Sequence, residues 1–100
     1  MMQVQIVRAA ETDLLAGYGF YEQQQAGIGD YFLDSLYADI DALLLYAGIH
    51  PKSDGRLHRT LSKRFPFAIY YDLKDGIVTV VAVLDCRQNP ASIIERLGRS

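Results

Sequence analysis

Apolar positions along the chain fall into segments with two different periods. Gln3–Arg8 alternates apolar Val4 and Ile6 with polar neighbours, which predicts a short half-buried strand. From Ala9 to Gln25 the spacing lengthens. Leu14, Leu15, Tyr18 and Tyr21 recur at helical intervals, with Glu11 and Asp13 in the first turn, where the helix dipole favours acidic groups. Gly17 and Gly19 lie inside this helix and cost about 1 kcal/mol each relative to alanine. They either admit a closely packed neighbour or mark a soft segment. Gly27-Ile28-Gly29 reads as a turn, and Asp30–Ala47 as a second, stronger helix. Its stripe of Phe32, Leu36, Ile40, Leu43 and Ala47, with Leu33, Tyr37 and Leu44 beside it, calls for cover on two sides, by a sheet and by an antiparallel helix.

Gly48–Gly55 reads as a loop, and the period then changes again. Arg56–Ser62 is polar enough for an edge strand, Phe65–Leu73 is aromatic and β-branched, and Ile77–Leu84 is so uniformly apolar that both its faces are expected to be buried. Lys74-Asp75-Gly76 supplies a tight hairpin turn between the last two. Pro66 cannot donate a ladder hydrogen bond, which places it at a strand start or a bulge. Asn89-Pro90 pairs a good N-cap with a proline at the first helical position and opens a short helix to about Leu97. The order β-α-α-β-β-β-α predicts an α+β fold, an antiparallel or mixed sheet with a helical hairpin on one face. One domain is expected to span residues 1–100, a common size for a single core.

The net charge of −2 conceals a division. Residues 9–48 carry seven acidic side chains and no lysine or arginine, whereas residues 49–100 carry nine basic and five acidic ones. Such a split predicts two faces of opposite potential; the plainer reading is that the acidic groups solvate two helices. Cys86 stands alone, so no internal disulfide or multi-cysteine metal site is expected. The first residues lack a basic stretch followed by an apolar run, and Ile77–Leu84 is too short to span a bilayer. Together these features predict a cytoplasmic protein without membrane association.

Most catalytic signatures are absent. No phosphate-binding glycine loop occurs in the required strand–helix context, and His50 and His58 have no acidic ligand cluster beside them, so neither a cofactor nor a metal is expected. Cys86 reads as a buried thiol at the end of an apolar strand, and the acidic pairs Asp30/Asp34 and Asp39/Asp41 read as a solvated helix surface. The basic residues are more informative. Arg56, His58, Arg59, Lys63 and Arg64 lie close together in sequence, and the hairpin should bring Arg64 to the same sheet end as Arg87. Two guanidiniums there suit phosphates, or carboxylates on a protein partner. In the alternative reading they form structural ion pairs with Asp85 and Glu95.

The run Arg64-Phe65-Pro66-Phe67-Ala68-Ile69-Tyr70-Tyr71, a short turn, an apolar strand, then Arg87 and an Asn-Pro pair resembles the RelE/ParE superfamily of type II toxin–antitoxin toxins. Ala10, Asp13-Leu14, Tyr21, Phe32 and His50-Pro51 agree in order and spacing, so the resemblance covers nearly the whole chain. It implies a compact toxin neutralised by a cognate antitoxin that wraps around it. RelE-like members cleave mRNA on the ribosome, whereas ParE-like members poison DNA gyrase. Arg64 and Arg87 match the phosphate-binding arginines of RelE-like members, and Lys63 and His58 are the remaining candidates for catalysis. The family's C-terminal tyrosine or histidine has no counterpart in QNPASIIERLGRS after Arg87, and the slightly acidic chain suits RNA poorly. The resemblance therefore implies a ParE-like binder of gyrase, with a metal-free, ribosome-dependent endoribonuclease as the alternative and a non-toxic, repurposed member as the second. Arg56, Arg59, Lys63, Arg64 and Arg87 are the expected target-binding residues, and Tyr18, Tyr21, Leu33 and Tyr37 the expected antitoxin-binding ones.

Overall fold

A computed structural model describes residues 2–47 and 56–98. The elements run β1 (Gln3–Ile6), α1 (Arg8–Gln24), α2 (Ile28–Asp41), α3 (Leu43–Tyr46), β2 (His58–Leu61), β3 (Phe67–Lys74), β4 (Ile77–Asp85) and α4 (Pro90–Gly98). The loop expected at Gly48–Gly55 lies outside the described residues. Among those that are described, no helix is long and apolar enough to cross a membrane.

The sheet is mixed, in the order β1-β4-β3-β2: β1 lies parallel to β4, and the other two pairings are antiparallel. This is the expected α+β arrangement, with β2 at one edge as its polarity implied. Asp75 and Gly76, both at positive φ, form the two-residue turn between β3 and β4, where Lys74 pairs with Ile77. Pro66 sits just before β3, and its carbonyl accepts the Cys86 N–H at 2.8 Å at the open end of the hairpin.

The α1–α2 hairpin covers one face of the sheet. Leu14, Phe32, Leu36 and Ile40 meet Phe67, Ile69, Tyr71, Val78, Val80 and Val83 in the main core. Gly17 explains how closely the helices approach, because a Cβ there would lie 2.4 Å from the Phe32 ring. Gly19 faces open space, so only the first of the two interior glycines is a packing residue. The opposite face of the sheet is partly covered too. Leu97 of α4 joins Leu57, Ala68, Tyr70, Ala82 and Leu84 in a second cluster. Register explains how both faces are supplied: Tyr70 pairs with Ala82 but Tyr71 with Val80, so Val81 is a bulge. Val78 and Val80 before it and Val83 after it therefore all reach the helical face.

Five expectations need correction. Arg8 opens α1 rather than closing β1, because Val7 is the N-cap and its carbonyl accepts the amides of Ala10 and Glu11. The second helix starts at Ile28 and breaks at Ala42, where a three-residue bond from Leu45 N–H tightens the chain before the single turn of α3. Leu43 stays buried, while Leu44, Leu45 and Tyr46 are turned outward. Arg56 precedes β2 rather than lying in it. The first half of β4 is not buried on both faces: Ile77 is exposed and Thr79 half-buried, since α4 covers only the far half of the sheet. Asp39 is not a solvated charge, because its Oδ2 accepts the Ser62 hydroxyl at 2.7 Å and the Lys63 amide at 3.3 Å.

Candidate macromolecule-binding site

The open end of the β3–β4 hairpin, opposite the turn, where Phe67 pairs with Asp85, gathers aromatic rings and cations. Phe65 sits at the centre. Its ring centroid lies 4.9 Å from Tyr21, 5.1 Å from Phe32 and 5.5 Å from Tyr31, which are edge-to-face and tilted contacts of the kind aromatic pairs favour. Helices α1 and α2 supply three of these rings, so the cluster forms only because Gly17 lets the two helices close.

Arg64 and Arg87 flank this cluster, as the hairpin implied. The Arg64 guanidinium lies 5.8 Å from the centroid of Tyr31. Arg87 donates through Nη2 to the Tyr21 hydroxyl at 3.4 Å and grips Asp85 through Nε at 3.0 Å and Nη2 at 2.8 Å. Asp85 thereby raises the Arg87 pKa, while the guanidinium's hydrogen bond holds the Asp85 carboxyl below its usual range, against the opposing effect of burial. The ion-pair alternative thus describes Arg87, whereas Lys63 and Arg64 have exposed side chains without an ion pair among the described residues.

The other basic candidates do not join this aromatic cluster. Arg59 lies on the α4 face, where Nε donates to the Tyr70 hydroxyl at 3.2 Å and Nη2 approaches the Cys86 Sγ at 3.8 Å. Its hydrogen bond to Tyr70 raises the Arg59 pKa. Cys86 is accordingly half-buried beside a guanidinium rather than sealed in the core. Arg56 donates to the Leu97 carbonyl at 2.6 Å and so anchors the end of α4. His58 stacks on Tyr71 with ring centroids 5.0 Å apart. It pairs across from Tyr71, four residues along β3 from the Phe67–Asp85 pair, or roughly 13 Å at about 3.3 Å per residue. His58 thus lies on a different stretch of the sheet from the Arg87 end.

The four residues expected to meet an antitoxin differ among themselves. Tyr18 and Leu33 are half-buried, Tyr21 is built into the aromatic cluster, and Tyr37 is exposed. Phe20 is 53% exposed and escaped the sequence reading. Its signal was available, because it stands off the Leu14–Tyr18–Tyr21 stripe, and an aromatic ring off the buried stripe has no core to fill. Phe20 borders an open cleft of about 240 Å³ between α1 and the end of β4, lined also by Ala16, Gly17, Val83, Leu84 and Asp85. A second cleft, of about 170 Å³, lies between α2 and the turn after β2, bordered by Ser35, Ala38, Asp39, Lys63 and Arg64. Among the described residues, no three His, Cys, Asp or Glu side chains converge as metal ligands would.

No family model matches the chain, and no curated protein matches it in sequence. Its fold does have solved counterparts. It is similar to a chain of the "Chromosomal ParDE TA system from P. aeruginosa", with a TM-score of 0.76 and 18% identity over 83% of this chain and 94% of that one. The two share a fold across nearly their whole described lengths.

Proposed function

We propose that this protein is the toxin of a type II toxin–antitoxin module, that it acts in the ParE-like manner by binding a macromolecular target, DNA gyrase, and that a cognate antitoxin neutralises it. The observation that carries this reading is the fold shared with a ParDE chain over most of both molecules. The chemistry of the hairpin end favours binding over cleavage. Phosphoester cleavage asks for cations free to stabilise developing charge and for a proton donor within hydrogen-bond reach. Arg87 is already held by Asp85, and His58 is stacked on Tyr71, four residues along β3 from this end. What remains exposed at this end is Lys63, Arg64 and the aromatic rim of Tyr31 and Phe20, of which Arg64 and Tyr31 are residue types enriched at protein hot spots.

Induced expression tests the reading. Growth is expected to stop, to resume when a small neighbouring reading frame is co-expressed, and to be accompanied by DNA-damage signalling and by loss of supercoiling by purified gyrase. Codon-positioned cuts in mRNA, absent from an Arg87→Ala variant, would instead establish the ribosome-dependent nuclease. Unimpaired growth with normal protein accumulation would point to a repurposed member without toxicity.

A further inference from the structure

The cleft between α2 and the turn after β2 has a floor with unmet chemistry. Ser35 is only 7% exposed, and its hydroxyl is the buried side-chain group without a hydrogen-bond partner among the described residues. A buried donor left unmade costs about 1–3 kcal/mol, so it marks a place where a partner atom is expected. The rim is formed by Lys63 and Arg64, whose side chains make no ion pair among the described residues. Asp39 forms one wall, but its Oδ2 is engaged by the Ser62 hydroxyl and the Lys63 amide. The cleft therefore offers two cations and one carboxylate already bonded, with an idle hydroxyl donor sealed in its floor.

We infer that this cleft receives the carboxylate of an acidic side chain on a partner polypeptide. The charge balance selects the ligand. Lys63 and Arg64 against Asp39 leave one net positive charge, which a single carboxylate neutralises. A phosphate group carrying about −1.5 to −2 would leave negative charge in excess beside Asp39. A polypeptide is favoured over a free acid by what adjoins the cleft. Asp39 and Lys63 also border a neighbouring cavity of about 90 Å³ whose other walls are Thr60 and the largely apolar Ala42, Leu43, Tyr46 and Leu61. Tyr46 and Leu61 are each half or more exposed, so an apolar residue next to the acid would cover both. The partner signature is an acidic residue on Ser35, Lys63 and Arg64 with an apolar neighbour on Tyr46 and Leu61. A carboxylate pocket is independent of any effect on growth, so the titration below and the expression assay above can fail separately.

The test is an NMR titration of the full chain with capped peptides bearing one leucine and one glutamate on short spacers. Their glutamine counterparts, sodium acetate and sodium phosphate serve as comparisons. Glutamate peptides are expected to shift the amides of Ser35, Asp39 and Lys63, and to bind about tenfold more tightly than the glutamine forms, as one charge-assisted hydrogen bond warrants. Acetate should shift the same amides at much higher concentration. Ser35→Ala should leave the melting temperature unchanged or higher, since it removes an unsatisfied group, yet weaken the glutamate peptides several-fold. Arg64→Gln should weaken them similarly. Equal binding of glutamate and glutamine peptides, an unchanged affinity in Ser35→Ala, or tighter binding by phosphate than by the glutamate peptides would each overturn the assignment.

Discussion

Arg96 on α4 donates through both terminal nitrogens to the two carboxylate oxygens of Asp13 on α1, at 2.7 Å each, across 83 residues of sequence. The same carboxylate accepts the backbone N–H of Val83 at 3.0 Å. Strand β1 pairs with β4 only as far as Val80, so the amide of Val83 faces a place where the neighbouring strand has ended. Asp13 takes the place of the missing strand and ties α1, α4 and the sheet together. Its arginine partner has its pKa raised by the bond.

Removing that carboxylate takes away the acceptor of a strand amide and a two-point ion pair to a mostly covered guanidinium. Asp13→Ala is therefore expected to destabilise the fold by about 2–4 kcal/mol, and Asp13→Asn by less, since an amide oxygen can still cap Val83. Chemical denaturation measures both. A loss below about 0.5 kcal/mol for Asp13→Ala would contradict this role.

The two interior glycines of α1 should respond in opposite directions. Gly17→Ala drives a methyl into Phe32, which Tyr21, Phe65 and Phe67 hold in place, and overpacking of this kind costs about 1–3 kcal/mol. Gly19→Ala meets nothing and should stabilise the protein by up to about 1 kcal/mol through helix propensity. Thermal melts of the two variants should move apart.

Glu22 caps a helix that is not its own. Its carboxylate accepts the amides of Gly27 at 3.1 Å and Gly29 at 2.9 Å, satisfying donors at the start of α2, where Gly27 adopts a φ of 95° and makes no side-chain cap. Glu22→Ala should cost about 1 kcal/mol and speed amide exchange at Gly27 and Gly29, with little change elsewhere. Uniform protection in the variant would show that the carboxylate caps nothing.

The Asp85–Arg87 pair has a defined pH signature. The Asp85 carboxyl titrates below its ordinary value because the charged form is hydrogen-bonded to Arg87. A depressed carboxylate pKa adds stability that is fully present above the unfolded value, about 3.9, and is lost as pH falls through the lower folded value. The stability difference between the parent and an Arg87→Gln variant should therefore be flat at neutral pH and shrink only in the acid range. A carboxyl titration of Asp85 at the unshifted value would refute the pairing in solution.

Local signals were enough for most of the architecture. Period-2 alternation marked β1, polarity and aromatic or β-branched runs marked the later strands, helical spacing marked the long helices, Asp75-Gly76 marked the hairpin, and Asn89-Pro90 marked the start of α4. The hairpin alone also brought Arg64 and Arg87 to one end, because strand pairing follows directly from a two-residue turn. These features depend on the backbone preferences of neighbouring residues, which the residues themselves dictate. Tertiary structure decided what each charge does. Nothing near Asp13 in the chain distinguishes it from a helix-dipole acid, and only the early end of β1 exposes the amide that it caps. Asp39 likewise reads as a surface acid until the turn after β2 arrives beside it. Ser35 reads as an ordinary helix position until the same turn buries it beneath Lys63 and Arg64. A side chain's electrostatic role is set by groups brought close in space from distant parts of the chain, and packing alone specifies those neighbours.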